Sequence, residues 1–311
     1  MKIKMKDIGA ILKKTAISWN DADPFRQSAT ISYYAIFSIP GLLIIIIWIA
    51  GLFYGDEIVR GEINTQISEM MGGETAQSLD GIVEESAVGD VSLLMKIVGI
   101  GALLFGATTL FFQMQKTLNY LWDVEAVPEN NLKKFIVDRV SSLGLILVIA
   151  FLMLITLVLS SMFAVVSDWI TASFGNSVYF LLEGANFIIS FLIVAVLFAL
   201  MFKVLPDVEI EWKSVWIGAL VTSLLFSIGK TLLGLYFGVA DPSSSFGAAG
   251  TVILVMLWVN YTCLILFFGA EFTKEYARHY NHKIKPSKHA QWLPRYEMNK
   301  PADPTDPRAK Q

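Results

Sequence analysis

Six long runs without a charged residue alternate with short polar gaps along this chain of 311 residues. The runs are Gln27–Gly55, Ile97–Gln115, Val140–Ser167, Gly184–Phe202, the split segment Ser214–Gly229 with Thr231–Ala240, and Pro242–Ala270. A helix rises about 1.5 Å per residue, so roughly 20 residues cross a hydrocarbon core of about 30 Å, and each run can supply one span. Lipid offers no partner to backbone N–H and C=O groups, which leaves helices or closed barrels. The short alternating strands of a barrel are absent. The pattern predicts an all-α membrane protein, a six-transmembrane helix bundle.

The gaps predict the remaining elements. In the arm 1–26, Ile8, Ile11, Leu12, Thr15 and Trp19 recur at helical spacing with Lys13 and Lys14 elsewhere on the wheel, as in an interfacial helix lying under the membrane. The uncharged run behind the arm is too long for the apolar region of a cleaved signal, so the first span reads as a retained anchor. Segment 56–90 carries Ile58, Ile63, Ile67, Met70 and Met71, then Gly72–Gly73, then Leu79, Ile82 and Val83. Two short amphipathic helices broken at the glycines would form an external cap. Trp169, Ile170, Phe174 and Tyr179 mark a second external piece over 168–183. The tail, 281–311, holds Pro286, Pro294, Pro301, Pro304 and Pro307 among polar residues and is expected to be disordered. The transmembrane domain is thus 27–280.

Charge sets the orientation. Of the 24 Lys and Arg residues, 21 lie in the arm, in 116–139, in 203–213 and after 270, all on one side if the runs are spans. The intervening gap 56–90 holds nine acids and one Arg. By the positive-inside rule both termini are cytoplasmic. Basic flanks also suit anionic inner-leaflet lipid, so membrane lipids are the expected partners and nucleic acid is not. Composition agrees, with 55% hydrophobic and 16% charged residues. The single Cys263 excludes an intramolecular disulfide.

Polar residues inside the spans gather on faces. Gly99, Gly106, Thr109, Gln113, Lys116 and Tyr120 share one face of the second helix; Ser223, Ser227, Lys230 and Gly234 one face of the fifth; Thr30, Tyr34, Ser38 and Gly41 one face of the first. Asn186 and Ser190 in the fourth helix and Asn260 in the sixth add amides and a hydroxyl. Two readings are open. Facing stripes would line a cavity for a lipid or organic-anion substrate, with Lys230 as its cation. Small and hydroxyl residues are also the ordinary packing surface of membrane helices, and Lys230 lies near enough to the outer boundary to snorkel. Pro40 frees a backbone carbonyl in the first helix.

The search for catalysis returns little. His279, His282 and His289 all follow the last span, and no His/Cys/carboxylate cluster has metal-ligand spacing within a span. There is no G-x-S-x-G elbow, Walker loop or H-E-x-x-H. No enzyme activity, metal or cofactor is expected.

Local signatures, read in order, tell more. Ala29-Thr30-Ile31-Ser32-Tyr33-Tyr34-Ala35-Ile36-Phe37-Ser38-Ile39-Pro40 opens the first helix; Asn119-Tyr120-Leu121-Trp122 follows the second; Arg139 precedes the third; Leu205-Pro206-Asp207 follows the fourth, and Gly218-Ala219 lies in the fifth. Ser245-Phe246-Gly247-Ala248-Ala249-Gly250, Leu257-Trp258-Val259-Asn260-Tyr261 and Gly269-Ala270-Glu271 complete the series. In order and spacing, over about residues 10–280, this resembles the YihY/BrkB family of bacterial inner-membrane proteins, some still labelled ribonuclease BN. The family usually has Tyr where Phe246 stands. The resemblance implies a six-helix inner-membrane protein with cytoplasmic termini, associated with virulence and with proposed lipid export or flipping, and no settled activity. Pro40, Asn119, Trp122, Arg139, Pro206, Gly247, Gly250, Trp258 and Glu271 are then structural motif positions. Glu271, a carboxylate at the negative end of its helix, is expected to pair with Arg139 or Lys203.

Overall fold

A computed structural model describes residues 5–86, 93–127, 132–133, 136–152, 155, 179–240 and 249–294. Along the chain these form α1 (Met5–Asp21), α2 (Pro24–Tyr54), α3 (Asp56–Met71), α4 (Gly73–Ser86), α5 (Leu93–Leu121), β1 (Val124–Ala126) and α6 (136–152). Then come α7 (Tyr179–Val204), β2 (Val208–Ile210), α8 (Trp212–Ala240), α9 (Gly250–His279), β3 (Ile284–Pro286) and β4 (Ala290–Trp292). The chain is overwhelmingly helical. Among the described residues, four helical stretches are long and apolar enough to cross a membrane: Pro24–Tyr54, Phe187–Val204, Trp212–Phe237 and Gly250–His279. The expected external piece over 168–183 and Gly247 with its neighbours fall wholly or largely outside what is described.

Burial along the spans is inverted relative to a water-soluble bundle. On α8, Trp216, Leu220, Leu224, Ile228, Leu232 and Leu235 form one exposed apolar stripe, while Ser214, Gly218, Ala219, Thr222, Ser223 and Gly229 face inward. On α2, Phe37, Trp48, Leu52 and Phe53 are exposed, and Ser28, Ser32, Ala35, Ser38 and Gly41 are buried. A continuous apolar exterior of this kind is stable against acyl chains and not against water. Small inward residues let the backbones approach closely.

The α8–α9 contact shows how close. A Cβ built on Gly218 would lie 1.7 Å from the Thr273 hydroxyl, and one on Gly269 would lie 1.8 Å from the Thr222 hydroxyl. Each helix thus carries Gly and Thr four residues apart, and in antiparallel packing each Thr fills the notch left by the other's Gly. Gly229 accommodates the Tyr261 ring end in the same way. On the other side of the bundle, Gly106 of α5 sits against the Phe37 carbonyl of α2, one turn before Pro40. α2 runs unbroken through that proline.

The ends of the bundle differ. At one end, Gly55 (φ 85°) and Gly72 (φ 91°) take positive-φ conformations open to glycine, and these punctuate α2, α3 and α4. Asp56 and Glu57 sit in the first turn of α3, where the helix dipole favours acids. Val59, Ile63, Ala76, Leu79 and Val83 bury one face of this helical pair, and Thr251 of α9 donates to the Ser78 hydroxyl at 3.1 Å. The two short helices expected from the sequence are present. At the opposite end, here the base, α1 turns into α2 at Asp23 (φ 53°). α1 packs along the last turns of α9: Ile11 clusters with Phe272 and Tyr276, and the Trp19 indole donates to the Leu264 carbonyl at 3.2 Å. Ile8 and Leu12 stay exposed.

The base also corrects one expectation. The segment after α9 is not disordered through its first part. β4 pairs antiparallel with β1 (Val124 opposite Trp292), and β3 pairs antiparallel with β2 (Val208 opposite Pro286). Prolines and charges suggest a free tail, and the alternation of Ile284, Pro286, Ala290 and Trp292 with polar neighbours is too short to mark strands by itself.

The Gly/Thr notch makes a direct prediction. Gly269→Ala should destabilise the protein by about 1–3 kcal/mol through overpacking. Thermal unfolding in detergent should show a lower Tm for G269A and partial recovery in the double variant with Thr222→Gly; independent, additive effects would contradict the notch.

Candidate functional site

Charged and amide side chains converge at the base in two clusters. The first surrounds the C-terminus of α5. Leu118, Leu121 and Trp122 are buried, so the last carbonyls of α5 face protein and not water. Lys274 of α9, itself buried, donates its ammonium to the Leu121 carbonyl, to Glu271 at 2.9 Å and towards Asp123 at 3.4 Å. A cation at the negative end of a helix dipole is favourable, and buried charge is tolerated only when paired. Arg278 extends the cluster, donating to Asp123 at 3.1 Å and Glu275 at 3.0 Å. Asp123 sits at φ 59°, a left-handed turn that ends α5 and starts β1.

Glu271 therefore takes Lys274, three residues along its own helix, as its partner. Neither Arg139 nor Lys203 fills that role: Lys203 donates to the Ile210 carbonyl at 2.6 Å, and Arg139 reaches α5. The i,i+3 spacing of Glu271 and Lys274 was visible in the sequence and is the shorter route to neutralisation.

The second cluster joins α5, α6 and the α7–β2 corner. Asn119 donates to the Asp207 carboxylate at 2.8 Å and accepts from the Asp207 backbone N–H at 2.7 Å, a reciprocal pair. Buried Pro206 fixes the corner that presents this group. Gln115, one turn earlier, donates to Asp138 at 3.3 Å and lies 3.5 Å from Asp207. Gln115, Asp138 and Asp207, with Ser141, Ser142, Ser287 and His289, line a cavity of about 130 Å³. The tail closes it, since the Ser287 N–H donates to the Asp207 carbonyl at 3.0 Å.

From this base a polar track runs up one side of α5. Arg139 of α6 donates to the Thr108 hydroxyl at 2.7 Å, the Thr109 hydroxyl at 3.1 Å and the Phe105 carbonyl at 3.3 Å. Its guanidinium lies over the rings of Phe105 (4.5 Å) and Phe112 (5.3 Å), and Lys116 lies over the same Phe112 ring at 4.6 Å. Phe105, Lys116 and Val140 are exposed and Gln113 is half-buried, so this face opens sideways from the bundle.

The other expected cavity residues have different settings. Ser223 donates to the Phe191 carbonyl of α7 at 3.1 Å and Ser227 to the Ser223 carbonyl at 2.9 Å. Asn260 donates to the Ser28 hydroxyl at 2.9 Å, tying α9 to α2. Ser38 is buried, and its hydroxyl has no hydrogen-bond partner among the described residues. Tyr34 is half-buried and meets Tyr33 edge-on, and Lys230 is half-buried on α8. Trp258 is buried against Phe226, and buried Gly250 starts α9. The side chain of Asn186 lies outside the described residues. Among the described residues, the α5 stripe is the one that meets a cation from a neighbouring helix, at Thr109; the described cavities lie at the base and are lined by other residues. Gln115 and Thr108 were missed because each falls beside, and not on, the face the periodicity selected on this helix, and Asp138 because it lies in a charged gap outside the runs.

An apolar-sheathed helical bundle with a polar base defines a multi-pass membrane protein. The chain belongs to the BrkB family: the profile described as Virulence factor BrkB matches residues 16–293. A UPF0761 membrane protein of Psychromonas ingrahamii is 27% identical over 250 residues, covering 78% of this chain and 79% of its own length. Another, from Verminephrobacter eiseniae, is 27% identical over 178 residues, 57% of this chain but only 40% of the relative. A Bacillus subtilis relative named as ribonuclease-like, YfkH, is 24% identical over 249 residues, 79% of this chain and 87% of its own length. No solved structure matches the chain.

The reciprocal Asn119–Asp207 pair can be tested alone. Asn119→Asp sets a second carboxylate against Asp207 and should lower the detergent-solubilised Tm more than Asn119→Ala, which forfeits about 1–3 kcal/mol of charge-assisted bonding. The reverse order would show that the pair does not hold the corner.

Proposed function

We propose that this chain is a six-span inner-membrane protein with both termini in the cytoplasm, and that it transports or flips an amphiphile with an anionic headgroup. The cation distribution supports the orientation, with α3 and α4 as the external cap. The observation that carries the transport reading is the setting of Arg139. Thr108 precedes Leu121 by 13 residues, about 20 Å along α5, whereas Glu271 precedes Lys274, at the level of Leu121, by only about 5 Å. The guanidinium thus reaches some 15 Å farther from the base than the first charge of α9, on a laterally open face shared with Lys116. A cation held there by hydroxyls and aromatic rings fits a lipid phosphate or organic anion whose tails remain in the bilayer.

A second reading, a non-transporting envelope scaffold, is favoured by the helix-to-helix bonds of Ser223 and Asn260, which use stripe residues for packing. Among the described residues no cluster of His, Cys, Asp and Glu could hold a metal ion for RNA cleavage, and the ribonuclease-like name stays with the Bacillus relative.

The deciding measurement is reconstitution into vesicles carrying headgroup-labelled phospholipids. Wild-type protein should move label between leaflets faster than protein-free vesicles, and Arg139→Gln should lower the rate by about tenfold, as for loss of one charge-assisted contact. Rates equal to those of empty vesicles across anionic and zwitterionic lipids would overturn transport in favour of the scaffold. A C-terminal tag labelled from the periplasmic side would overturn the topology.

A further inference from the structure

We propose that a niche at the base, separate from the Arg139 face, binds a phosphate-class oxyanion. The niche is about 110 Å³, room for three to four waters or one tetrahedral anion, and is lined by Trp122, Lys274, Arg278, His282, Ile284 and Trp292.

Its lining is built of donors. Indole, ammonium and guanidinium groups donate hydrogen bonds and accept none. Among these six residues only the neutral imidazole of His282 offers a side-chain acceptor, and its Nδ1 already meets the Ser214 hydroxyl at 2.6 Å. Among the described residues no carboxylate lines the niche. Asp123, Glu271 and Glu275 contact Lys274 and Arg278 and hold them in place.

A second observation asks for an acceptor. Trp122 is completely buried, and its Nε1–H has no hydrogen-bond partner among the described residues. Buried indole N–H groups ordinarily find one. A ligand oxygen in the adjoining niche would satisfy it while meeting the guanidinium fork of Arg278, a donor set that favours an oxyanion over a neutral carbonyl; Lys274, its three N–H groups already taken by Leu121, Glu271 and Asp123, adds only its charge. The walls come from two parts of the chain far apart in sequence: Trp122 at the end of α5, and the end of α9 with the β3–β4 tail that follows it. An anion there would bind only the assembled base.

The chemistry is shared by inorganic phosphate and by a phospholipid headgroup, and the test separates them. Full-length protein in detergent would be titrated with inorganic phosphate, and in parallel with a short-chain phosphatidic acid, following Trp fluorescence and Tm. Saturable change with phosphate, weakened about tenfold in Trp122→Phe and in Arg278→Gln but retained in Arg139→Gln, is expected. Response to the lipid alone, with the same variant pattern, assigns the niche to a headgroup. No saturable response to either ligand, or equal affinity in wild type and W122F with an unchanged Tm for the apo variant, would overturn the site and leave it to water. Loss of lipid flux in R139Q with phosphate binding intact would separate this site from the transport face.

Discussion

The buried ammonium of Lys274 on the last carbonyl of α5 is the contact that the base is organised around. A helix that ends inside protein leaves carbonyls without partners, and burying them uncompensated is costly. Lys274 answers that need from α9, the helix that also packs against α1, α2 and α8. The ammonium in turn needs counter-charge, supplied by Glu271 and Asp123, and Asp123 engages Arg278. One dipole end thus dictates four charged residues and fixes where α5 stops relative to α9.

Much of this architecture was legible in the residues. Charge-free runs marked the four span-length helices found among the described residues, Gly72–Gly73 marked the break between α3 and α4, and the amphipathic arm marked α1. What periodicity cannot give is the neighbour. It placed Ser223 and Asn260 on polar faces, but whether such a face meets a cavity or another helix depends on rotation about each axis, and here they bond to Phe191 and Ser28. Likewise it offered Glu271 several cations without ranking them. The contact made is the local one, with Lys274.

The same limit explains the tail. Strand pairs of three residues carry almost no periodic signal, and their partners lie far away in sequence, so proline content outweighed alternation. The candidate transport face was half visible: Thr109, Gln113 and Lys116 were placed together, and Arg139 was noted as a motif residue. Their junction depends on how α6 approaches α5, which no local pattern encodes.

That late strand pairing bears on biogenesis. β1 and β2 leave the ribosome long before Ala290–Trp292 and Ile284–Pro286 exist, so both loops must wait with unpaired edges until the last helix is inserted and the chain beyond it emerges. Closure of this end is therefore a final, long-range step of assembly. A nascent chain halted after α9 would hold its helices yet lack the fastening that draws the two distant loops together.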